Sequence, residues 1–424
     1  MKRRDFLKQT SSGITAAAAL TTLSSIQSVF ANNLLRLEKQ NNKDDYFANL
    51  RTEYLLNNEI TYFNHGSIGT IPRAIHEAHT GYLKLCESNP WFYMWGEPWA
   101  KALAETREKV AEFLGCSAGE LAFTHNTTEG FNLLASGLPL KAGDEVVFSS
   151  LNHAGAGQCW FHHAKEKDFS VKKFEFPIQE VPNLSKEDIV DIYAKNISEK
   201  TRVVVFPHID NLVGIRYPVK ELAKMARKKG VQYVAVDGAQ AVGMVDVNLQ
   251  EMGVDFYAAS PHKWLQAPKG TGVLYIRKEV QPDVKPMWVT WGQERWKNSV
   301  RIFEDYGTRN LAATLTLGNA VDFQSKLNSK GAAQRRKALR DTFYQTLKNN
   351  SKFSWRSPLD ADLATSLYTV ELKETSSRAL FKEMFEKHGY VFRPFESENR
   401  NAIRLSLNVF NTFEEIDRFN KIAG

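Results

Sequence analysis

Between residues 121 and 277 the chain repeats short runs of apolar, β-branched and aromatic residues: LAFT (121–124), EVVFSS (145–150), VKKFEF (171–176), RVVVFP (202–207), QYVAV (232–236), DFYAAS (255–260) and GVLYIR (272–277). Most are continuous rather than alternating, the pattern of strands covered on both faces. Helical patterning over 184–198 and 218–229 lies between them. Strand and helix in turn predict an α/β fold with a mostly parallel, doubly wound sheet.

After about residue 280 the pattern changes. WVTWGQERW reads as an aromatic loop, 311–328 and 331–349 as helices, and 365–372 and 402–409 as strands of a smaller unit. In the last of these Ile403, Leu405 and Leu407 share one face while Arg404, Ser406 and Asn408 share the other. Thr412 and Glu415 have the spacing of a capping box opening a final helix. The organisation expected is a leader at 1–31, an N-terminal segment at 32–60, a large α/β domain at 61–310 and a smaller α+β domain at 311–424.

The leader carries an address. KRRDFLK (2–8) precedes a weakly apolar run, ITAAAALTTLSSI, and then VFA, the small-residue pattern of a cleavage site after Ala31. Arg3 and Arg4 with Phe6 and Leu7 resemble a twin-arginine export signal, which implies the twin-arginine machinery as a partner and a periplasmic or secreted location. The apolar run is about 13 residues, short of the roughly 20 that span a bilayer, so no stable membrane insertion is expected.

Composition adds exclusions. The 424 residues are 43% hydrophobic and 24% charged, which rules out a disordered or collagen-like chain. Of the net charge of +7, the leader holds +3, and no basic stripe interleaved with aromatics signals nucleic acid in the rest. Cys86, Cys116 and Cys159 are far apart, without a CxxC pair, and read as buried free thiols. The aromatic stretch NPWFYMWGEPW (89–99) reads either as a pocket or dimer contact or as packing under a loop.

In open parallel sheets ligands bind at the carboxyl ends of strands, so the polar residues that end each run matter. LAFT leads to Thr127 and Thr128 at the start of a helix, where hydroxyls and free amides suit a phosphate. EVVFSS leads to His153, RVVVFP to His208 and Asn211, QYVAV to Asp237 and Gln240, and DFYAAS to Ser260, His262 and Lys263. Singly, these are caps, loop histidines, turn formers and a solvated lysine. Together they are a phosphate cradle, an imidazole, a carboxylate and an amine.

Pyridoxal 5'-phosphate fits that set. Its chemistry needs an amine for the Schiff base, a carboxylate for the pyridinium nitrogen and donors for the phosphate, and Lys263 and Asp237 fit the first two. A metal site built on His153, His208 and His262 is the rival, but neither HxxxH nor a His–carboxylate pair at ligand spacing supports it, so no metal is expected. His162 and His163 read as surface residues. A nicotinamide fold is a further rival, yet GxGxxG after a first strand is missing.

Seven stretches carry a family resemblance: NHGSIGTIP (64–72), THNTTEGFNLLASGL (124–138), VDGAQAVG (236–243), SPHKW (260–264), KGTGVLYIR (269–277), DYGTRN (305–310) and IRLSLNVFNTFEEIDRF (403–419). With them the chain resembles the class V aminotransferases of the fold-type I pyridoxal-phosphate enzymes, and NHGS and GTRN resemble the isopenicillin N epimerase-like branch. The resemblance implies that Lys263 forms the internal aldimine and moves the α-proton, that Asp237 pairs with the ring nitrogen and Gln240 with the ring phenolate oxygen, and that His153 stacks on the ring. It further implies that Thr127, Thr128, Ser260 and His262 hold the phosphate, with Thr308 reaching that of a partner in a homodimer.

Substrate binding falls by the same resemblance to Asn211, Arg404, Asn64 and His65. Arg404 on the polar face of its strand suits a bidentate grip on a carboxylate, with Arg393 a competitor for it. GYVFRPFESENRNAIR lacks the cysteine that cysteine desulfurases carry before the arginine, so the expectation excludes persulfide chemistry. The activity expected is transamination or epimerisation of an amino acid or amino-acid-derived compound through a quinonoid. A carbon–sulfur lyase or a non-catalytic binding protein is the alternative.

Overall fold

The computed structural model describes residues 14–38, 43–91, 97–397 and 400–423. The twin-arginine motif and the middle of the aromatic stretch lie outside these residues. A seven-stranded sheet is built from β1 (Leu121–Thr124), β2 (Glu145–Ser149), β3 (Ser170–Phe174), β4 (Thr201–Pro207), β5 (Tyr233–Asp237), β6 (Phe256–Ala259) and β7 (Gly272–Ile276). Their order is β1-β7-β6-β5-β4-β2-β3, and β7 alone runs antiparallel to its neighbours β1 and β6. The expected doubly wound, mostly parallel sheet is what the chain forms.

Period-2 geometry explains the continuous apolar runs. Val204, Phe206, Val234 and Val236 enter one hydrophobic cluster, while Val203, Val205, Tyr233 and Ala235 enter another. Alternate side chains of one strand point to opposite faces, so a sheet with a core on both sides needs apolar residues throughout. β3 is the exception: at the sheet edge it keeps Lys172 and Lys173, charges that discourage edge-to-edge pairing.

A four-stranded antiparallel sheet forms the smaller unit, from β8 (Phe353–Trp355), β9 (Leu367–Leu372), β10 (Arg393–Ser397) and β11 (Arg400–Ser406), in the order β10-β11-β9-β8. Two differences from expectation have local causes. β11 stops at Ser406 because Asn408 turns the chain, its backbone N–H donating to Asn411 Oδ1 at 2.9 Å. β10 lacks a hydrophobic pattern because it is an edge strand carrying Arg393, Pro394 and Glu396.

The units interlock across the expected boundaries. Phe63 belongs to the smaller unit's core, and Thr61–Tyr62 pairs in parallel with Tyr390–Val391. The helix Leu311–Ser329 begins the segment expected to be the small domain, yet Leu311, Leu315 and Phe323 are buried in the large core. At the N-terminus Ile14–Glu38 is one helix running through Ala31, with Phe30 buried and Gln27 Nε2 donating to Tyr82 Oη at 2.6 Å. No helix among the described residues is long and apolar enough to cross a membrane.

Candidate active site

The carboxyl ends of β1, β2, β5 and β6 meet at one place. After β1, Asn126 caps the helix Thr127–Gly137 by accepting from the Glu129 N–H at 3.0 Å. Gly130 lets this helix lie on the sheet, since a Cβ there would stand 2.8 Å from Ala258 Cβ. The Thr127 amide donates to Ser260 Oγ at 3.1 Å, and the two hydroxyls lie 2.9 Å apart. A second helix, Ala154–Lys167, begins beside them: a Cβ on Gly155 would stand 2.4 Å from Thr128 Oγ1. Two helix N-termini and two or three hydroxyls therefore converge, which is a cradle for a phosphate.

Lys263 follows β6 in a tight turn closed by its own N–H on the Ser260 carbonyl at 3.0 Å. Burial lowers its amine to about 8, although Asp237 works in the opposite sense, and no hydrogen bond from Nζ occurs among the described residues. Asp237 ends β5 and is buried, with Oδ1 accepting from the Ala239 N–H at 2.9 Å. Desolvation raises its carboxyl above its ordinary value against the smaller opposing pull of that N–H, Lys263 and His153. A cationic N–H partner would hold such a carboxyl ionised, and beside it stands an amine that loses its proton readily.

His153 caps the helix Ala154–Lys167 by accepting at Nδ1 from the Gly155 N–H at 3.0 Å. Its ring is exposed at the mouth but walled by protein, and that desolvation holds it below its ordinary value against the pull of Asp237. His262 is half-buried, with Nδ1 donating to the Thr271 carbonyl at 3.1 Å. Thr308 is exposed in the bend before the helix Leu311–Ser329.

On the small-sheet side Arg404 is 2% exposed. Its Nη1 donates to the Asn211 carbonyl at 2.7 Å, and Nη2 to Ser67 Oγ at 2.5 Å and Asn64 Oδ1 at 3.2 Å. Nε is buried without a partner, and among the described residues no carboxylate pairs with the guanidinium. Burial and then the nearby charge of Arg393 lower it to about 9. A desolvated guanidinium with only neutral acceptors is a site for an incoming carboxylate.

Two of the expected residues have their side chains turned into the framework. Gln240 donates from Nε2 to the Gly66 carbonyl at 2.8 Å and accepts from Trp264 Nε1 at 2.7 Å. His65 is fully buried beneath the lysine turn, with Nε2 2.9 Å from Asn408 Nδ2 and 3.1 Å from the Lys263 carbonyl, and its ring edge-on to Trp264. Burial keeps it neutral, down at about 3. His208 is buried too, its Nδ1 2.9 Å from Tyr257 Oη.

The family model "Aminotransferase class-V" matches residues 61–419. The chain belongs to the aminotransferase class-V family. Its cofactor is pyridoxal 5'-phosphate, its fold is that of the fold-type I enzymes, and its substrate is amino-acid-like. The converging hydroxyls and helix ends, the unpaired Lys263 amine and the buried Asp237 are residues that fit this cofactor. Among relatives of this class-V chain, the isopenicillin N epimerase of Streptomyces clavuligerus is 29% identical over 87% of this chain and 95% of that protein. A probable cysteine desulfurase of Halobacterium salinarum is 30% identical over 71% and 74%. The apo cysteine desulfurase of Thermococcus onnurineus NA1 shares the fold, with a TM-score of 0.76 at 22% identity over 88% of this chain and 96% of that one.

The desulfurase similarity overturns the expectation that desulfurase activity is excluded. The error was physical: one missing loop cysteine speaks to how sulfur would be accepted, whereas the rest of the site speaks to what is bound. The three cysteines present lie elsewhere, and burial pushes the Cys116 and Cys159 thiols up to about 12. Among the described residues one group could offer three metal-ligand atoms, His162, His163 and Glu166 on the helix Ala154–Lys167. Sequence reasoning missed Ser67 and Gly69; at Gly69 a Cβ would stand 2.2 Å from the Lys263 carbonyl oxygen. The motif NHGSIGTIP was the available signal, and its glycines mark a close backbone approach.

Proposed function

We propose that this protein is a carbon–sulfur lyase that removes sulfur from the β-carbon of an amino acid. The observation that carries the reading is the buried, carboxylate-free Arg404 facing the Lys263 and Asp237 side of the site, joined to the similarity to proteins named cysteine desulfurases. The cofactor, when bound, supplies the electron sink. Arg404, helped by Asn64, Ser67 and Asn211, fixes the substrate α-carboxylate and so the direction of the Cα–H bond. The Lys263 amine, easily deprotonated, takes that proton, and the electron pair it leaves expels sulfur from Cβ as a thiolate. Asp237 would hold the proton of the cofactor's ring nitrogen, Thr127, Thr128, Ser260 and His262 would hold its phosphate, and His153 would wall the ring side of the site.

Epimerisation at Cα is the second reading, favoured by the match to isopenicillin N epimerase across most of both chains. One experiment separates the two. Purified holoenzyme is incubated with L-cysteine, S-alkyl-L-cysteines and amino-bearing peptides, with thiol or sulfide release and product chirality both followed. Inverted chirality with no sulfur released would reject the lyase. Lys263→Ala is expected to lose the visible absorbance of the bound cofactor and all turnover.

Two further parts belong to this reading. Export by the twin-arginine route rests on Arg3 and Arg4 ahead of the apolar run, and fractionation of an Arg3→Lys/Arg4→Lys variant tests it. A homodimer in which Thr308 meets the partner's phosphate rests on the exposure of that bend. A wild-type protein that is monomeric, or a Thr308→Val variant that holds the cofactor as tightly as wild type, would reject it.

A further inference from the structure

β10 and β11 place two arginines directly opposite each other: Arg393 pairs with Arg404 in the antiparallel register. Residues so paired project from the same face with Cβ atoms about 5 Å apart. Phe395, two residues along β10, shares that face, and its ring lies under both guanidiniums, 5.2 Å from that of Arg393 and 5.8 Å from that of Arg404. The ring holds the two cations side by side where like charges repel.

Their surroundings do not neutralise them. Lys263, His153 and Arg404, all residues of the site, feel the charge of Arg393. Asp237 faces Lys263, and the buried Asp210 is spent on the N–H groups of Leu212, Val213 and Ile215 at 2.7–2.8 Å. Arg404 is anchored by Asn64, Ser67 and Asn211, whereas Arg393 is exposed and its side chain has no hydrogen bond or ion pair among the described residues. One arginine is fixed and buried, the other free at the mouth.

We infer that Arg393 is a specificity-determining residue that binds a second carboxylate on the substrate, so that the preferred substrates are amino acids whose side chain ends in an acid. This rests on the reading of Arg404 as the α-carboxylate site. Under the lyase reading, the group leaving with sulfur carries the second carboxylate, as in an S-carboxyalkyl cysteine. The Cα–H electron pair becomes the Cα=Cβ bond as the Cβ–S bond breaks, the departing thiolate takes up the proton removed from Cα, the dehydroalanine-level fragment left behind is released and hydrolysed by water to pyruvate and ammonia, and the distal acid stays bound to Arg393 until the thiol leaves.

Binding and turnover are tested separately in the full-length holoenzyme. Dissociation constants are read from the cofactor's absorbance for matched pairs that lack sulfur, L-glutamate against L-norvaline and L-2-aminoadipate against L-norleucine. Release of thiol is then compared for S-carboxymethyl-L-cysteine and S-methyl-L-cysteine. Wild type is expected to bind the acidic member of at least one pair about 10- to 100-fold more tightly, the range of one charge-assisted contact. Arg393→Gln is expected to bring that ratio near one, and Arg393→Lys to keep part of it. Equal binding of both members by wild type would overturn the inference, as would a loss in Arg393→Gln that is the same for both, which would make Arg393 a second α-carboxylate ligand. If neither cysteine derivative is cleaved while the acidic preference holds, the lyase reading fails and this one stands.

Discussion

Of the three arginines buried among the described residues, Arg107, Arg336 and Arg404, the first and last are treated in opposite ways. Arg107 meets Glu304 bidentately, at 2.7 and 2.8 Å, and adds a bond to the Leu121 carbonyl at 2.7 Å. Glu304 also accepts from the Phe123 N–H and from Arg301, so both partners are satisfied. Burial alone would raise its carboxyl, yet Arg107, Arg309 and these hydrogen bonds hold it below its ordinary value. Arg404 is as deeply buried but has neutral acceptors and a bare Nε. A cation closed by its own carboxylate fastens the fold, tying the helix Glu97–Phe113 to the turn before residue 305. Arg404, left without one on the Lys263 side of the site, keeps its charge for a ligand.

The contrast can be broken by exchanging the outcomes. Arg404→Gln is expected to cut kcat/KM by about 100- to 1000-fold, in line with losing a buried charged contact to a ligand, and to change the melting temperature little. Glu304→Gln should do the reverse: about 3–5 kcal/mol of stability lost in denaturant titration, because Arg107 is left buried and unpaired, with kcat/KM kept in the folded fraction. If both variants lose stability alike, Arg404 is a structural arginine.

Smaller changes sharpen the same comparison. Because the Glu304 carboxyl is held low in the fold, its contribution is present above the unfolded glutamate value of about 4.3 and lost as pH falls through the folded one. Wild type should therefore lose more stability on acidification below about 4.3 than Glu304→Gln does, as measured by unfolding at a series of pH values. Ser67→Ala removes one neutral acceptor from Arg404 and is expected to raise KM about 2- to 10-fold with kcat nearly unchanged. A fall in kcat instead would mean that Ser67 does more than aim the guanidinium.

Lys263, Asp237, Thr127 and Ser260 were legible in the sequence because each closes its own strand or opens its own helix, so a local pattern of apolar run and polar end marks it. Arg404 was legible for a related reason, as a polar position alternating with Ile403 and Leu405 on β11. What surrounds Arg404 was not legible as a set. Asn64 and Ser67 reach it from 340 and 337 residues away, and no periodicity links them to it. Gln240 and His65 sit in family motifs, but sequence spacing does not say which way a buried side chain turns, and here both face the framework. β10 went unseen because an edge strand need not alternate.

The loop at 64–69 reaches the lysine turn through His65 across 198 residues, and Gly69 admits the Lys263 carbonyl at a separation no larger side chain allows. Contacts so distant along the chain must await the closure of long loops, and such closures come late in folding. The bound cofactor is thus a stopwatch for folding: its absorbance should develop only in the last kinetic phase, after the sheet's own signal is complete. A chain that shows this absorbance has already brought the loop at 64–69 onto the lysine turn.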